Sequence, residues 1–316
     1  MFGCKLTPIF RIYCVYTLGD KPLLEKHMCI SRVICFILCL SSFNSAISET
    51  IFTYREKETP NDTRYEFDRR LMDLALQKTE ATYGPYKLMP SYPGSNEKRV
   101  INEALLNKYE NYFFKSSITP ELINSLGYVP FPIDRGVVGY RVAFTSEATT
   151  QQLKHVQNLD DIKQFSILQG VGWLDVEILK HHGFKIVTSS HYDSMFKMIA
   201  RDRAHLFLRG INEVLDEWSA QKNIKNLVLD DNIVIQYPLP RFLFTNKANQ
   251  EAIKRMHEGI LIAYKDGSFQ KLWEEEYQAS IEFANLKKRK IFKIENPIIK
   301  NLDKSFEQYN FSPITQ

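Results

Sequence analysis

Cysteine is missing from residue 40 to the end of this 316-residue chain. The five cysteines that it has lie in the first 39 residues, at Cys4, Cys14, Cys29, Cys35 and Cys39. The rest of the chain can therefore form no disulfide framework, no cysteine-ligated zinc site and no thiol nucleophile. This clustering also indicates that the N-terminal segment is not part of the folded region.

Long apolar runs and a strong charge of one sign are missing as well. The apolar run Val33–Leu40 has eight residues, whereas a bilayer span needs about 20, so a polytopic membrane protein is excluded. The formal net charge of +4 gives no case for a nucleic-acid partner, which calls for a clustered basic face. Apolar residues at 44% and charged residues at 25% are typical of globular chains, and the length suggests about two domains.

The N-terminal segment has the layout of a secretory signal peptide. Arg32 supplies the positive charge, Val33–Leu40 is the apolar core, and small and polar residues follow as far as Ala46. We therefore predict a leader over residues 1–46, with the signal peptide at 28–46 and translation from Met28 favoured over Met1. Leu38 precedes Cys39, where a lipoprotein signal has a small residue, so we expect a soluble protein exported to the periplasm.

Strands and helices alternate along the rest of the chain. β-rich runs such as Ile51–Tyr54, Phe165–Gln169 and Lys185–Thr188 each precede apolar residues at helical spacing. This alternation predicts an α/β fold with open, mainly parallel sheets flanked by helices. Two longer β-rich stretches, Val137–Thr145 and Asn232–Asn246, fit crossover strands between two lobes. A single doubly wound domain fits the same periodicity, so the pattern leaves both architectures open.

Short motifs follow one another in a characteristic order over nearly all of residues 50–316. They are Tyr54-Arg55, Asn61-Asp62-Thr63-Arg64-Tyr65, Pro132-Ile133-Asp134-Arg135-Gly136, Gly139-Tyr140-Arg141, Gly170-Val171-Gly172-Trp173, Leu208-Arg209-Gly210-Ile211-Asn212-Glu213, Tyr237-Pro238 with Arg241, and Asp266-Gly267-Ser268-Phe269. In this order they resemble the type 2 periplasmic solute-binding proteins, specifically a divergent subgroup of the amino-acid-binding family 3 type. One segment departs from that pattern, because residues 64–68 read Arg-Tyr-Glu-Phe-Asp where the amino-acid binders usually have Gly-Phe-Asp/Glu-Val-Asp.

The resemblance implies a two-lobed fold with two crossover strands. Residues 47–139 and 239–316 would form lobe 1, and residues 140–238 would form lobe 2. It also implies an exported binding protein that captures a small polar ligand for an ABC-type permease or a sensor, and the arginines at the predicted cleft indicate an anionic or zwitterionic ligand. Such a protein is a monomer without catalytic residues, metal or cofactor.

Candidate ligand-binding residues stand where strands end and helices begin, which is where open α/β sheets bind ligands. They are Arg55, Ser117, Tyr140, Gly170, Gly172, Trp173, Arg209, Asn212 and Tyr237. Two of them, Tyr140 and Tyr237, stand instead on the crossover strands, which line the cleft in the fold that the resemblance implies. Arg209 is predicted to anchor an anion, because its planar guanidinium suits a carboxylate. An ion pair with Glu213 or Asp216 explains the same arginine, so both interpretations stay open. For Gly170 to Trp173 the alternatives are a ligand platform and a structural turn.

Two other functions are compatible with the same scaffold. The first is a periplasmic enzyme such as a dehydratase of cyclic acids, for which Asp175, Asp193 and Glu213 are the acids near the predicted strand ends. No histidine obviously completes a site with them, and the chain has neither a phosphate-binding loop nor a Gly-x-Ser-x-Gly elbow. The second is a binding module that reports its ligand to a signalling partner.

Overall fold

The computed structural model describes residues 49–57 and 65–313. The predicted leader, and with it the signal peptide, lies outside the described residues. So do residues 58–64, which hold most of the Asn61–Tyr65 motif. Within the described ranges, no helix combines the length and the apolar character that crossing a membrane requires.

The described residues form two β-sheets. The strands of the first sheet are β1 (Thr50–Tyr54), β2 (Tyr86–Pro90), β3 (Tyr112–Ser117), β4 (Gly127–Tyr128) and β11 (Arg241–Thr245), in the spatial order β2-β1-β3-β11-β4. Those of the second are β5 (Tyr140–Ser146), β6 (Ser166–Gly170), β7 (Lys185–Ser189), β8 (Leu206–Gly210), β9 (Leu227–Leu229), β10 (Ile233–Gln236) and β12 (Lys290–Lys293). Their order is β12-β10-β5-β8-β6-β7, and β9 pairs with β5.

Helices connect these strands and cover the sheets. They are α1 (Glu66–Tyr83), α2 (Glu97–Leu105), α3 (Pro120–Ser125), α4 (Glu147–Leu153), α5 (Leu159–Lys163), α6 (Leu174–His181), α7 (Tyr192–Ala200), α8 (Val214–Gln221), α9 (Gln250–Lys265) and α10 (Ser268–Ala284). Short 3₁₀ turns lie at Val137–Gly139, Leu286–Lys288, Pro297–Ile299 and Ser305–Tyr309. The predicted start of α3 is confirmed, since Pro120 opens the helix and the Thr119 side chain accepts a hydrogen bond from the Leu122 backbone.

The sheets are mixed, whereas the alternating pattern predicted mainly parallel sheets. Strands β1, β2 and β3 are parallel to one another, and so are β6, β7 and β8. The strands β5 and β11 run antiparallel to their neighbours. The reason is that both strands begin at the edge where the parallel strands of their sheet end, because the chain enters each sheet from the other one.

The β-rich stretch Asn232–Asn246 is two strands, one in each sheet. The first, β10, ends at Gln236, and the second, β11, begins at Arg241. Pro238 and Pro240 lie between them, and proline cannot donate a hydrogen bond to a sheet ladder. The prediction of a single long strand was therefore wrong, although the predicted crossing between sheets occurs here.

Strand β12 adds a third crossing. The predicted lobe 1 includes all of residues 239–316, but Lys290–Lys293 pairs in parallel with β10 of the second sheet. The chain then returns to the first sheet, since Phe306 packs on Phe242 with ring centroids 5.5 Å apart. The predicted range missed this pairing because the sequence of a short terminal strand does not indicate which sheet the strand joins. The lobe boundaries themselves stay a prediction.

Helices α1 and α9 cross in close contact at Gly259. A Cβ atom at this position would lie 2.1 Å from the carbonyl oxygen of Ala75 and 2.6 Å from its carbonyl carbon. Backbone atoms cannot yield as a flexible side chain can, so any side chain at residue 259 would push the helices apart.

We expect Gly259→Ala to destabilise the protein by about 1–3 kcal/mol, the usual cost of overpacking, although alanine forms helices better than glycine. Urea unfolding measures this change. Lys254→Ala, at an exposed position of α9, is the matched control and should stay within about 0.5 kcal/mol of the wild type. Equal stabilities for the two variants would contradict the close helix crossing.

Candidate functional site

The carboxyl ends of the parallel strands in the two sheets lie next to each other. Four residues join the end of β10 to the start of β11, where Arg241 pairs with Ser117 at the end of β3. In the second sheet, Gly170 and Gly210 end β6 and β8, and Tyr140 begins β5 at the same edge. The two edges are therefore the place where side chains from both sheets can meet.

Arg209 is buried at this edge between two glutamates and two aromatic rings. Its Nε donates to Glu217 Oε1 at 2.7 Å, and its Nη2 lies 2.8 Å from Glu213 Oε2. The guanidinium carbon is 4.9 Å from the ring centre of Trp173 and 5.5 Å from that of Tyr192. Burial alone would lower the pKa of Arg209, but the two carboxylates raise it well above its ordinary value.

Of the two interpretations of Arg209, the structure thus shows the ion pair. Glu213 was one of the expected partners, but the second is Glu217, one helix position beyond Asp216. Burial raises the pKa of Glu217, which also accepts a hydrogen bond from the Tyr192 hydroxyl. The anion-anchor role stays a prediction, and the geometry argues against it, because an anion would have to displace two carboxylates.

Arg241 links the two sheets. It begins β11 of the first sheet, and its Nη1 lies 3.4 Å from Oε1 of Glu213, which follows β8 of the second sheet. Its Nε lies 4.0 Å from Oδ2 of Asp134. The Arg241 side chain is 20% exposed, so this contact lies at the boundary between the buried site and solvent.

Two buried carboxyl groups complete the first-sheet side of the site. Asp134 is 1% exposed, and burial raises its pKa to about 6. Burial also raises the pKa of Asp68 on α1, whose Oδ1 accepts a hydrogen bond of 2.8 Å from Lys115 Nζ. A carboxylate with a raised pKa lacks enough nearby positive charge to offset its lost hydration.

A second buried arginine holds the crossover strands together. Arg141 on β5 donates to Asp175 in the first turn of α6, and its Nε donates to the Tyr237 hydroxyl at 3.2 Å. That hydroxyl donates in turn to Asp175. Tyr237 was predicted to line the cleft, but its side chain is fully buried, so its observed role is to join β10, β5 and α6.

The predicted turn at Gly170–Trp173 has a packing role. A Cβ at Gly170 would lie 2.3 Å from the Trp173 indole, so the missing side chain allows the ring to fold back over the strand end. Gly172 has a φ of 80°, a conformation that favours glycine. The indole stacks on Phe207, with ring centres 6.2 Å apart, and lies near the Arg209 guanidinium. Trp173 thus lies at the site, where its ring packs against the Arg209 guanidinium. We call Arg209 and its four neighbours, Glu213, Glu217, Trp173 and Tyr192, the arginine cage.

The remaining predicted residues lie along the two edges. Arg55 is buried, with Nη1 2.6 Å from Glu97 Oε2 and its guanidinium carbon 4.1 Å from the Tyr65 ring centre. Ser117, Tyr140 and Asn212 are half-buried at or just beyond strand ends. The structure therefore brings these predicted residues to two adjacent edges, but it engages their charged groups internally.

Several site residues were not predicted from the sequence: Asp68, Lys115, Asp134, Tyr192 and Glu217. Asp134 belongs to a motif that supported the resemblance, which is the one signal that could have drawn attention to it. The other four stand on helices or mid-strand, where charged and aromatic residues are usually part of an ordinary solvated or packed face.

A surface cavity lies elsewhere. It is a surface groove of about 330 Å³ between α1 and α10, lined in part by Arg70, Gln77 and Lys271. No group of three or more histidine, cysteine or acidic residues in the described part of the chain is arranged to hold a metal ion. The adjacent sheet edges therefore remain the candidate site on the basis of their buried charges.

No family model matches the sequence, and no curated protein matches it. Several solved structures match the fold of this chain. A Bordetella pertussis BvgS VFT2 domain matches with a TM-score of 0.54 and 9% identity, covering 72% of this chain and 93% of that one. An arginine-specific periplasmic binding protein of Salmonella typhimurium matches with a TM-score of 0.52 and 12% identity, covering 72% of this chain and 99% of that one. A Wolinella succinogenes binding component of an ABC transporter, complexed with lysine, matches with a TM-score of 0.51 and 18% identity. The match covers 72% of this chain and 95% of that one.

The chain has the two-lobed, type 2 periplasmic-binding-protein fold. The predicted fold class is therefore confirmed, and so is the resemblance to amino-acid-binding proteins at the level of the fold. Identities below 20% carry the fold and not the ligand.

We expect Arg209→Met to destabilise the protein by about 3–5 kcal/mol, because it leaves Glu217 buried without its cation and Glu213 with Arg241 alone. Urea unfolding at pH 7 measures the loss. Arg201→Met, at an exposed position, is the control and should change stability by less than about 0.5 kcal/mol. Similar small losses in both variants would show that the arginine cage is not a structural element.

The raised pKa of Asp134 predicts a specific pH dependence. A carboxyl with a folded pKa of about 6 and an ordinary value of 3.8 favours the folded state below pH 4, and this advantage is lost as the pH rises through 6. Asp134→Asn removes that penalty, so its stability relative to the wild type should rise between pH 4 and 7. The shift of about two pKa units corresponds to roughly 3 kcal/mol at most. Parallel stability–pH curves for the two proteins would refute the raised pKa.

Proposed function

We propose that this chain is an exported solute-binding protein that captures a small polar ligand between two lobes, without chemistry. Export to the periplasm is supported by the signal-peptide pattern at residues 28–46. The observation that carries the proposal is the pair of adjacent strand edges, where charged side chains of the two sheets meet at Arg241 and Glu213. Such an arrangement lets one small molecule contact both sheets and thereby favour their approach.

We propose an amino-acid-like ligand with charged groups, which the sequence indicated as anionic or zwitterionic. Two of the structural relatives are described by arginine specificity and by bound lysine, which supports an amino-acid-like solute. Three of the half-buried predicted residues at the edges, Ser117, Tyr140 and Asn212, are proposed to contact it directly. Arg55, Gly170, Gly172, Trp173, Arg209 and Tyr237 are proposed to shape and support the same site.

The proposed partner is an inner-membrane ABC permease, as for the transporter component among the relatives. A sensor is the second candidate, because the BvgS domain has the same fold. We propose lobe boundaries near residues 140 and 238, a monomeric state and no cofactor. An enzyme on this scaffold is disfavoured, since Asp175 and Glu213 are both engaged with buried arginines.

A ligand screen tests the proposed function. The purified protein is heated with amino acids, dicarboxylates, amines and inorganic phosphate, and its unfolding temperature is recorded. A ligand at 100 times its Kd adds about 2.7 kcal/mol to the free energy of unfolding, so at least one compound should raise the transition by several degrees. NMR spectra of that compound should be unchanged after incubation, and its conversion to a product would favour the enzyme instead. No shift with any compound class would contradict solute binding.

A further inference from the structure

Buried carboxylates outnumber buried cations where the two sheet edges meet. The charged side chains of the described residues in this place are Asp68, Asp134, Glu213 and Glu217 on one hand and Lys115, Arg209 and Arg241 on the other, each at most 20% exposed. Their formal sum is one negative charge, and two neighbouring ion pairs, Arg55 with Glu97 and Arg141 with Asp175, leave it unchanged. Glu276 on α10 also lies in the field of Asp68, but its carboxylate is 3.8 Å from Arg70 Nη1, so it is left out of this sum.

The three cations of this cluster are already paired. Lys115 donates to Asp68, and Arg209 is held by both glutamates. Arg241 lies between Glu213 at 3.4 Å and Asp134 at 4.0 Å, and the second distance is too long for a hydrogen bond. The cations are thus shared among more carboxylates than they can neutralise.

Three carboxylate oxygens in the cluster are buried and accept no hydrogen bond from the described part of the chain: Asp68 Oδ2, Asp134 Oδ2 and Glu217 Oε2. The other oxygen of Asp134 accepts one from the Gly136 backbone at 3.2 Å. A buried charged acceptor without a donor is strongly destabilising, so these oxygens suit a group that brings donors and positive charge.

The aromatic side chains around the cluster also suit a cation. The ring centre of Tyr65 lies 4.1 Å from the Arg55 guanidinium and 6.0 Å from Lys115 Nζ. Trp173 and Tyr192 hold the guanidinium of Arg209 in the same way. Ring faces of this kind attract guanidinium and ammonium groups.

We propose that this site selects a ligand of net positive charge, whose ammonium or guanidinium group is bound through Asp134 and Asp68; the inference rests on the proposed solute-binding function. A ligand of net negative charge would enter a cluster that already has excess negative charge. It would also compete with carboxylates for cations that are all paired. A basic amino acid or a small polyamine has the required charge.

The test compares three charge classes at pH 7.5 by thermal shift and calorimetry. L-arginine, L-lysine, putrescine and spermidine are the cations, L-glutamine is the net-neutral zwitterion, and L-glutamate, succinate and phosphate are the anions. At least one cation should bind, and none of the anions should bind as tightly. Asp134→Asn should weaken the binding of that cation at least tenfold, while the unliganded protein keeps or gains thermal stability. Asp160→Asn, whose side chain is 86% exposed, should bind as the wild type does.

Asp68→Asn is a second variant, because its amide oxygen can still accept the Lys115 hydrogen bond. It should also weaken the binding of the cation. If an anion or L-glutamine binds best, the charge inference is overturned and the solute-binding function stands. If a cation binds equally well to Asp134→Asn and Asp68→Asn, the assignment to these carboxylates is overturned. If no compound of any class binds, the solute-binding function fails and the inference with it.

Discussion

The structure depends on mutual compensation of charges that are buried where two sheet edges meet. Each arginine removed from water there must recover its hydration energy from a carboxylate at close range. Arg209 does so with two glutamates, and Arg141 with Asp175 and a tyrosine hydroxyl. Because such pairs tolerate little displacement, they fix the ends of β5, β8 and β10 and the first turn of α6. The positions of Trp173 and the glycine turn follow from this arrangement.

The fold was predictable because its determinants are local or ordered along the chain. Strand and helix alternation, the Thr119-Pro120 helix start and the motif order all follow from short segments. The crossing at Asn232–Asn246 was also visible, but not its division into two strands. Pro238 and Pro240 carry the signal for that division, since they interrupt any hydrogen-bonded ladder.

The charge pairing of the site could not be predicted in the same way. Arg209 and Glu217 are only eight positions apart, but Arg241 meets Glu213 across 28 positions and Lys115 meets Asp68 across 47. Such pairs depend on how whole elements dock, for which a single sequence has no local signal. For this reason an arginine-rich set of strand ends indicated an anion site. The structure adds the carboxylates that already occupy those arginines.

Two kinds of contact between the sheets differ in strength, and the difference bears on closure. Arg241 and Glu213 form a pair at 3.4 Å whose side chains are 20% and 14% exposed, and separation of the edges would return both charges to water, which offsets the lost attraction. Ser280 on α10 instead lies buried, donates to the Ile211 carbonyl at 2.7 Å and accepts from the Leu215 backbone. Separation of the sheet edges at Arg241 would therefore cost little, while α10 keeps its hold on the second sheet. A ligand that contributes only a few kcal/mol across the edges would then decide whether they are open or closed.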